Sequence, residues 1–294
     1  MRDIDFLFLD SGTGGLPYMV QLKQMAPDAR CAYIGDTANF PYGEKTQSQI
    51  IEFSTDVLRR GIERFNPAVA VIACNTMSVA ALQTMRQTFS IPVVGTVPAI
   101  KLAASCTQNR RIGLLATAHT VEDPYTDKLI SDFACNCTVF RRGDSDLVRF
   151  IEHNLFTATS AERCNACLPA IEYFARNDVD TVVLACTHFT HILAEFEQAA
   201  AGKLKAIDSR EGVAKQALRV WAAQSGKTLQ DLGVACADNI ENIHTGFAGA
   251  GNTENHKVLM ADTAVYVTSL GDAHNQNEYR QWCTHSGVPF KGLL

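Results

Sequence analysis

Two cysteines stand where ligand chemistry is easiest to place. Cys74 ends the apolar run Val69-Ala70-Val71-Ile72-Ala73 and precedes Asn75-Thr76; Cys186 ends Val182-Val183-Leu184-Ala185 and precedes Thr187-His188. Short apolar runs bounded by polar residues read as buried parallel strands, so both thiols fall at carboxyl ends of strands. Open α/β sheets bind their ligands at that edge. One buried cysteine by itself is best read as a small core hydrophobe. Two in matched contexts reverse that reading. Each is followed by two hydrogen-bonding side chains and by a helix start, and a helix start favours the thiolate form of cysteine. A symmetric pair of thiols suits a symmetric reaction, the simplest being removal of a proton from one face of a carbon and delivery to the other.

Other polar groups gather at strand ends. Asp10-Ser11-Gly12-Thr13-Gly14-Gly15 closes the first apolar run and places an acid and a hydroxyl at its rim. Its glycines allow a tight turn, but the third glycine of a dinucleotide fingerprint is out of register and no Gly-Lys-Thr follows. The loop 35–45 contains Asp36 and, at Pro41-Tyr42-Gly43, a phenol and an amide suited to holding a carboxylate. His188, two residues after Cys186, belongs to the same rim.

These residues need a scaffold, and strand-like runs alternate with helical ones along most of the chain, the pattern of a parallel sheet with crossover helices. Strands are expected at 4–9, 31–34, 69–73, 92–95, 111–116, 138–140, 181–185, 206–208 and 264–268. Helices are expected at 15–25, 47–65, 78–89, 144–154, 161–176, 193–200 and 212–224, with 117–120 capping another. The order strand, polar loop, crossover, strand ending in cysteine occurs twice, which implies duplication. We therefore expect two Rossmann- or flavodoxin-like α/β domains with parallel sheets, related by a pseudo-twofold, with the active site in the cleft between them. One domain would span 1–96 plus 210–294 and the other 97–209. The Gly/Asn-rich stretch 246–256 reads as a flexible excursion.

The chain has 294 residues, 47% of them hydrophobic and 19% charged, with a net charge of −5. That is the composition of a globular protein with a full core, and the charge favours neither nucleic acid nor an anionic membrane as partner. No apolar run nears the roughly 20 residues of a membrane span. The N-terminus lacks signal-peptide architecture, so a cytoplasmic location is expected. The ten cysteines then read as free thiols, with Cys31, Cys106 and Cys236 as core hydrophobes. Cys135, Cys137, Cys164 and Cys167 could supply four sulfurs, but their spacing departs from structural zinc sites, and no metal is assigned.

Taken together, Asp-Ser-Gly-x-Gly-Gly at the first strand, Asp36 through Lys45, Ala73-Cys74-Asn75-Thr76 and Cys186-Thr187-His188-Phe189 resemble the glutamate racemases, cofactor-independent members of the aspartate/glutamate racemase superfamily. The resemblance runs from Ile4 to about Ala214 and resumes at Tyr266-Val267-Thr268-Ser269-Leu270-Gly271-Asp272. It implies that Cys74 and Cys186 are the two acid–base residues, with Asp10 and His188 assisting their proton transfers. It implies that Ser11, Tyr42, Gly43, Asn75, Thr76 and Thr187 bind the ammonium and carboxylates of L- or D-glutamate, together with Asp10 and His188. Thr117, Thr120 and Glu152 match positions near the family's pocket, Glu152 among the catalytic set. No cofactor is implied, the product D-glutamate would serve peptidoglycan, and a homodimer is one assembly compatible with the resemblance. Ala185 and Thr190 depart from the usual Gly before the second cysteine and Pro after the Phe.

Overall fold

Strand β1 (Ile4–Asp10) is apolar from Phe6 to Leu9 before its terminal acid, and its last five residues are buried. Such burial on both faces is expected of a strand inside a covered parallel sheet. The computed structural model describes residues 3–234 and 262–294. β2 (Cys31–Gly35) and β3 (Pro67–Ile72) flank β1 in parallel, and β4 (Val93–Gly95) pairs with β3, giving the local order β2-β1-β3-β4. Helices α1 (Leu16–Met25), α2 (Gln47–Phe65) and α3 (Asn75–Thr88) are the crossovers. Period-two alternation sorts the side chains of these strands. Leu7, Leu9, Ile34, Ala70 and Ile72 pack with Val57 and Leu58 of α2 and with Met77 and Met85 of α3. A capping box between Thr46 and Gln49 starts α2, satisfying backbone donors that a helix start leaves free.

The chain then builds a second sheet from β5 (Arg111–Ala116), β6 (Thr138–Gly143), β7 (Thr181–Leu184) and β8 (Lys205–Ile207), all parallel and ordered β6-β5-β7-β8. Its helices are α4 (Ile100–Cys106), α5 (Ala118–Glu122), α6 (Pro124–Phe133), α7 (Ser145–Asn154), α8 (Ser160–Arg176) and α9 (Leu193–Ala200). Ile112, Leu114, Val183 and Ile207 pack with Ile100 and Ala103 of α4 and Leu129 of α6. On the opposite face Gly113 lets the Phe174 ring of α8 lie against the sheet; a Cβ at Gly113 would stand 2.7 Å from that ring.

After α10 (Arg210–Ser225) the chain returns to the first sheet through β9 (Thr263–Val267), α11 (Ala273–Ser286) and β10 (Phe290–Leu293). That sheet then reads β10-β9-β2-β1-β3-β4. Trp221 of α10 meets Phe6 at 5.2 Å, covering the face of β1 opposite α2 and α3. Two compact units result: Met1–Tyr42, Thr46–Thr96 and Arg210–Leu294 in one, Gly43–Lys45 and Val97–Ser209 in the other. Each contains the same core order, second strand, first, third, fourth.

The α/β class with parallel sheets is as expected from the alternating pattern, and several elements add to it. α6 opens on Asp123, whose carboxylate accepts from Tyr125 N–H, followed by Pro124 in the first turn. α11 is largely polar and buries chiefly Glu278, Tyr279, Trp282 and Cys283, so its apolar periodicity is faint. α3 begins at Asn75, directly after Cys74, rather than at 78. The turn after Cys186 is a 3-10 helix, Thr187–Ile192, and not the start of an α-helix. There Phe189 N–H bonds Cys186 O at 3.1 Å, the shorter 3-10 spacing, and the Thr190 hydroxyl takes the Thr187 carbonyl at 2.8 Å. The excursion at 246–256 and Cys236 lie outside the described residues.

Candidate active site

In an open parallel sheet of this order the crevice opens where the chain switches direction, between the first and third strands. Asp10 ends β1 and Cys74 follows β3, so the first unit delivers both to its switch point. Asp10 is fully buried. Its Oδ2 accepts the Gly15 N–H at 2.7 Å and lies 3.1 Å from the Tyr33 hydroxyl. Gly15 is required here because an added Cβ would come within 2.6 Å of the Ala73 carbonyl. The Cys74 Sγ lies 3.8 Å from Ser11 Oγ, which in turn lies 3.5 Å from Asp10 Oδ1. The result is a thiol–hydroxyl–carboxylate chain with the thiol at the N-cap of α3.

Asn75 and Thr76 are each 2% exposed. Neither amide atom of Asn75 has a hydrogen-bond partner among the described residues. Leaving such a group unpaired in the interior costs about 1–3 kcal/mol, which a ligand bonding to it would offset. Tyr42 donates its hydroxyl proton to Asp36 Oδ2 at 2.5 Å. Burial, then the Asp36 charge and this hydrogen bond, push the phenol well above its ordinary range, so it stays protonated. With that proton engaged, a carboxylate bound at Tyr42 would have to draw it from Asp36.

The second unit repeats the plan with different chemistry. Thr117 follows β5 and caps α5, its Oγ1 accepting Thr120 N–H at 3.3 Å and donating to Thr120 Oγ1 at 3.0 Å. Gly43 lies against it: a Cβ on Gly43 would meet Thr117 Cβ at 2.9 Å and Cγ2 at 3.0 Å. Cys186 and Thr187 follow β7, and both are buried. Cys186 Sγ is 3.7 Å from His188 Nδ1, and His188 Nε2 is 2.8 Å from Glu152 Oε2 on α7. Both partners are nearly sealed from solvent. Burial alone would lower the proton affinity of His188. The hydrogen bonds to Cys186 and Glu152, with their charges, outweigh it and hold the imidazole well above its ordinary value. An imidazolium can therefore stand beside the sulfur at neutral pH.

Each expected site residue falls in one of two sets, Asp10, Ser11, Tyr42, Cys74, Asn75 and Thr76 in the first unit and Gly43, Thr117, Thr120, Glu152, Cys186, Thr187 and His188 in the second. Tyr33 and Asp36 were not among them. A tyrosine inside a buried strand needs a polar partner, and an acid one residue past β2 repeats the placement of Asp10 at the end of β1; those are the signals that mark them. Cys135, Cys137, Cys164 and Cys167 are free thiols, with Cys167 buried and pushed up to about 12 by burial. Among the described residues no three or more His, Cys, Asp or Glu side chains are arranged to hold a metal ion.

Residues 18–217 match the family model described as Asp/Glu/Hydantoin racemase. The chain belongs to this racemase family. It is 35% identical over 293 residues to the glutamate racemase of Treponema pallidum strain Nichols, covering 100% of this chain and 97% of that protein. It is 39% identical over 213 residues to the glutamate racemase of Shewanella piezotolerans, covering 72% and 78%. Among solved structures, Escherichia coli glutamate racemase in complex with L-glutamate and the activator UDP-MurNAc-ala matches with a TM-score of 0.73. The identity there is 28%, over 99% of this chain and 98% of that one. For a member of the racemase family, two strand-end thiols with polar partners are groups that can move a proton at carbon.

Proposed function

We propose that this chain is a glutamate racemase that interconverts L- and D-glutamate by proton transfer between two cysteines. The observation that carries this reading is that each unit offers one buried thiol after its third strand, within reach of its own polar partners. Those partners are Ser11 and Asp10 for Cys74, and His188 and Glu152 for Cys186. The near full-length relationship to glutamate racemases supports the substrate. In this reading the two units correspond to the domains 1–96 with 210–294 and 97–209, except that Gly43–Lys45 groups with the second, and each supplies one cysteine to the reaction.

A single base would return the proton to the face it came from, so inversion needs two. With L-glutamate, Cys186 takes the Cα proton as a thiolate, and the electron pair of the C–H bond stays on Cα and spreads into the α-carboxylate. Cys74, as a thiol, delivers its proton to the opposite face, leaving Cys186 protonated and Cys74 ionised. D-glutamate runs the same sequence in reverse and restores the starting state. This handedness follows the family resemblance. His188 offsets the charge at Cys186, and Asp10 acts on Cys74 through Ser11. Fixed donors on the two carboxylates stabilise the carbanion, a role we assign to Ser11, Gly43, Asn75, Thr76, Thr117, Thr120 and Thr187, with Tyr42 beside them. Every step uses groups of this chain. D-glutamate made in the cytoplasm would supply peptidoglycan, as in the family.

The test is a chiral assay of both enantiomers of glutamate and aspartate, run in heavy water. Racemisation of glutamate with deuterium entering Cα is expected. Preference for aspartate would shift the substrate, and absence of α-exchange with any of the four would make the protein a binder and overturn the reading.

A further inference from the structure

The sequence resemblance resumes at Tyr266–Asp272, a segment distant along the chain from both cysteines that the proposed proton transfer itself does not use. In the first unit this segment meets the loop that carries Tyr42. Thr268 donates its hydroxyl to Asp36 Oδ1 at 2.6 Å, and the Thr268 Oγ1 accepts the Ala38 N–H at 2.9 Å. Next to it, Thr37 Oγ1 donates to the Ser269 carbonyl at 2.7 Å and accepts the Ser269 N–H at 3.1 Å. Thr268 N–H bonds Gly35 O at 3.1 Å. Five hydrogen bonds thus pin the start of the loop to the end of β9.

Asp36 is the hub. It is fully buried, and its carboxylate accepts from Tyr42 at 2.5 Å, Thr268 at 2.6 Å and Asn39 Nδ2 at 3.0 Å. All three donors are neutral. A buried carboxylate held by neutral donors depends on each of them, because losing one leaves charge unsolvated in a low-dielectric interior. Asp36, by accepting the Tyr42 proton, directs that hydroxyl. We infer that Thr268 and Asp36 are positioning residues of the racemisation: Thr268 anchors Asp36, and Asp36, holding the Tyr42 proton, fixes where the phenol oxygen stands toward the substrate. The C-terminal return of the chain would then be part of the active site's support rather than only a sheet extension. This inference rests on the glutamate racemase reading and concerns the same site.

The test is Thr268→Val, which keeps shape and removes both the donor to Asp36 and the acceptor for Ala38, with Thr268→Ser as the conservative control. Loss of a hydrogen bond to a charged group corresponds to roughly tenfold or more. We expect KM for both enantiomers to rise about tenfold with kcat within about threefold, and Thr268→Ser to restore wild-type values. A double-mutant cycle with Tyr42→Phe separates positioning from general damage. If Thr268 acts through Tyr42, adding Thr268→Val to Tyr42→Phe costs little more. Melting temperatures of all variants identify any that fail to fold, for which Thr268→Ser and the cycle still give the answer at lower temperature. Unchanged KM in Thr268→Val overturns the inference, as does full additivity with Tyr42→Phe. Wild-type protein that racemises no glutamate would instead overturn the functional reading beneath it.

Discussion

Replacing Glu152 with Gln tests the electrostatics of the second unit with almost no change of shape. The wild-type carboxylate accepts from His188 Nε2 at 2.8 Å in a site nearly closed to water. Glutamine can keep an oxygen there but removes the negative charge. A hydrogen bond involving a charged group is worth about 1.5–3 kcal/mol and a neutral one about 0.5–1.5. The difference of roughly 1–2 kcal/mol corresponds to about 5–30-fold in an equilibrium. Burial disfavours the imidazolium, and in the wild type its partners overcome that penalty. With the charge of Glu152 gone, the proton affinity of His188 must fall, and the positive charge beside Cys186 is lost at a lower pH than in the wild type.

The sign of the pH effect follows. His188 has a raised pKa in the folded protein, so its contribution to stability is complete below the unfolded value of about 6.5. That contribution is lost as pH rises through the raised folded value. Glu152→Gln should therefore reduce stability most on the acid side of this window, where the wild-type pair is charged. Activity should fall about 5–30-fold at slightly alkaline pH and recover part of the loss as the assay is made more acid. The two enantiomers are equal in free energy, so kcat/KM must fall together in both directions. Exchange with solvent is free of that constraint. Washout of the α-proton of L-glutamate, assigned to Cys186 in the proposed mechanism, should suffer more than washout from D-glutamate. A pH–rate profile superimposable on the wild type, with equal washout losses from both enantiomers, would refute the role of the Glu152–His188 pair.

Other substitutions bear on the same scheme. Cys74→Ser and Cys186→Ser should each lower racemisation by at least ~10²-fold, the lower scale for a positioned acid or base, with D-glutamate washout lost chiefly in the first and L-glutamate washout in the second. Near wild-type racemisation in either would remove that cysteine from the mechanism. Gly43→Ala should force the loop off Thr117, given the 2.9 Å approach of its Cβ, and raise KM more than it lowers kcat in steady-state assays. Gly113→Ala should lower stability by about 1–3 kcal/mol through overpacking, because its Cβ would stand 2.7 Å from the Phe174 ring. Chemical denaturation measures this, and Phe174→Leu in the same chain should recover part of the loss.

The fold was legible where burial and period agree. β1, β3, β5 and β7 each carry an apolar run that gives way to polar residues at or just past the strand end, and their neighbours in the sheets are uniformly parallel. α11 was not legible, because only a few of its side chains reach the core and the rest are polar. β10 was missed for a related reason, being a four-residue edge strand in which exposure alternates. The tight turn after Cys186 follows from bonds that apolar periodicity does not encode, among them Thr190 to the Thr187 carbonyl.

The candidate site divides along the same line. Residues adjacent in sequence to a strand end, such as Asp10, Cys74 and Cys186, announce themselves through position. Residues that act on them from a distance do not. Glu152 lies 36 residues before His188 and was suggested by resemblance alone, although its carboxylate stands 2.8 Å from His188 Nε2. Thr268 lies 232 residues from Asp36, and nothing in a linear pattern couples a strand-end threonine to a loop acid so far away. The shared strand order makes the contrast sharper. Both units use one strand order and one place for the thiol, yet one supports its cysteine with a hydroxyl and a carboxylate and the other with an imidazole and a carboxylate. Topology fixed where the sulfurs stand; the partners that differ between the units are what would let one accept a proton while the other gives one up.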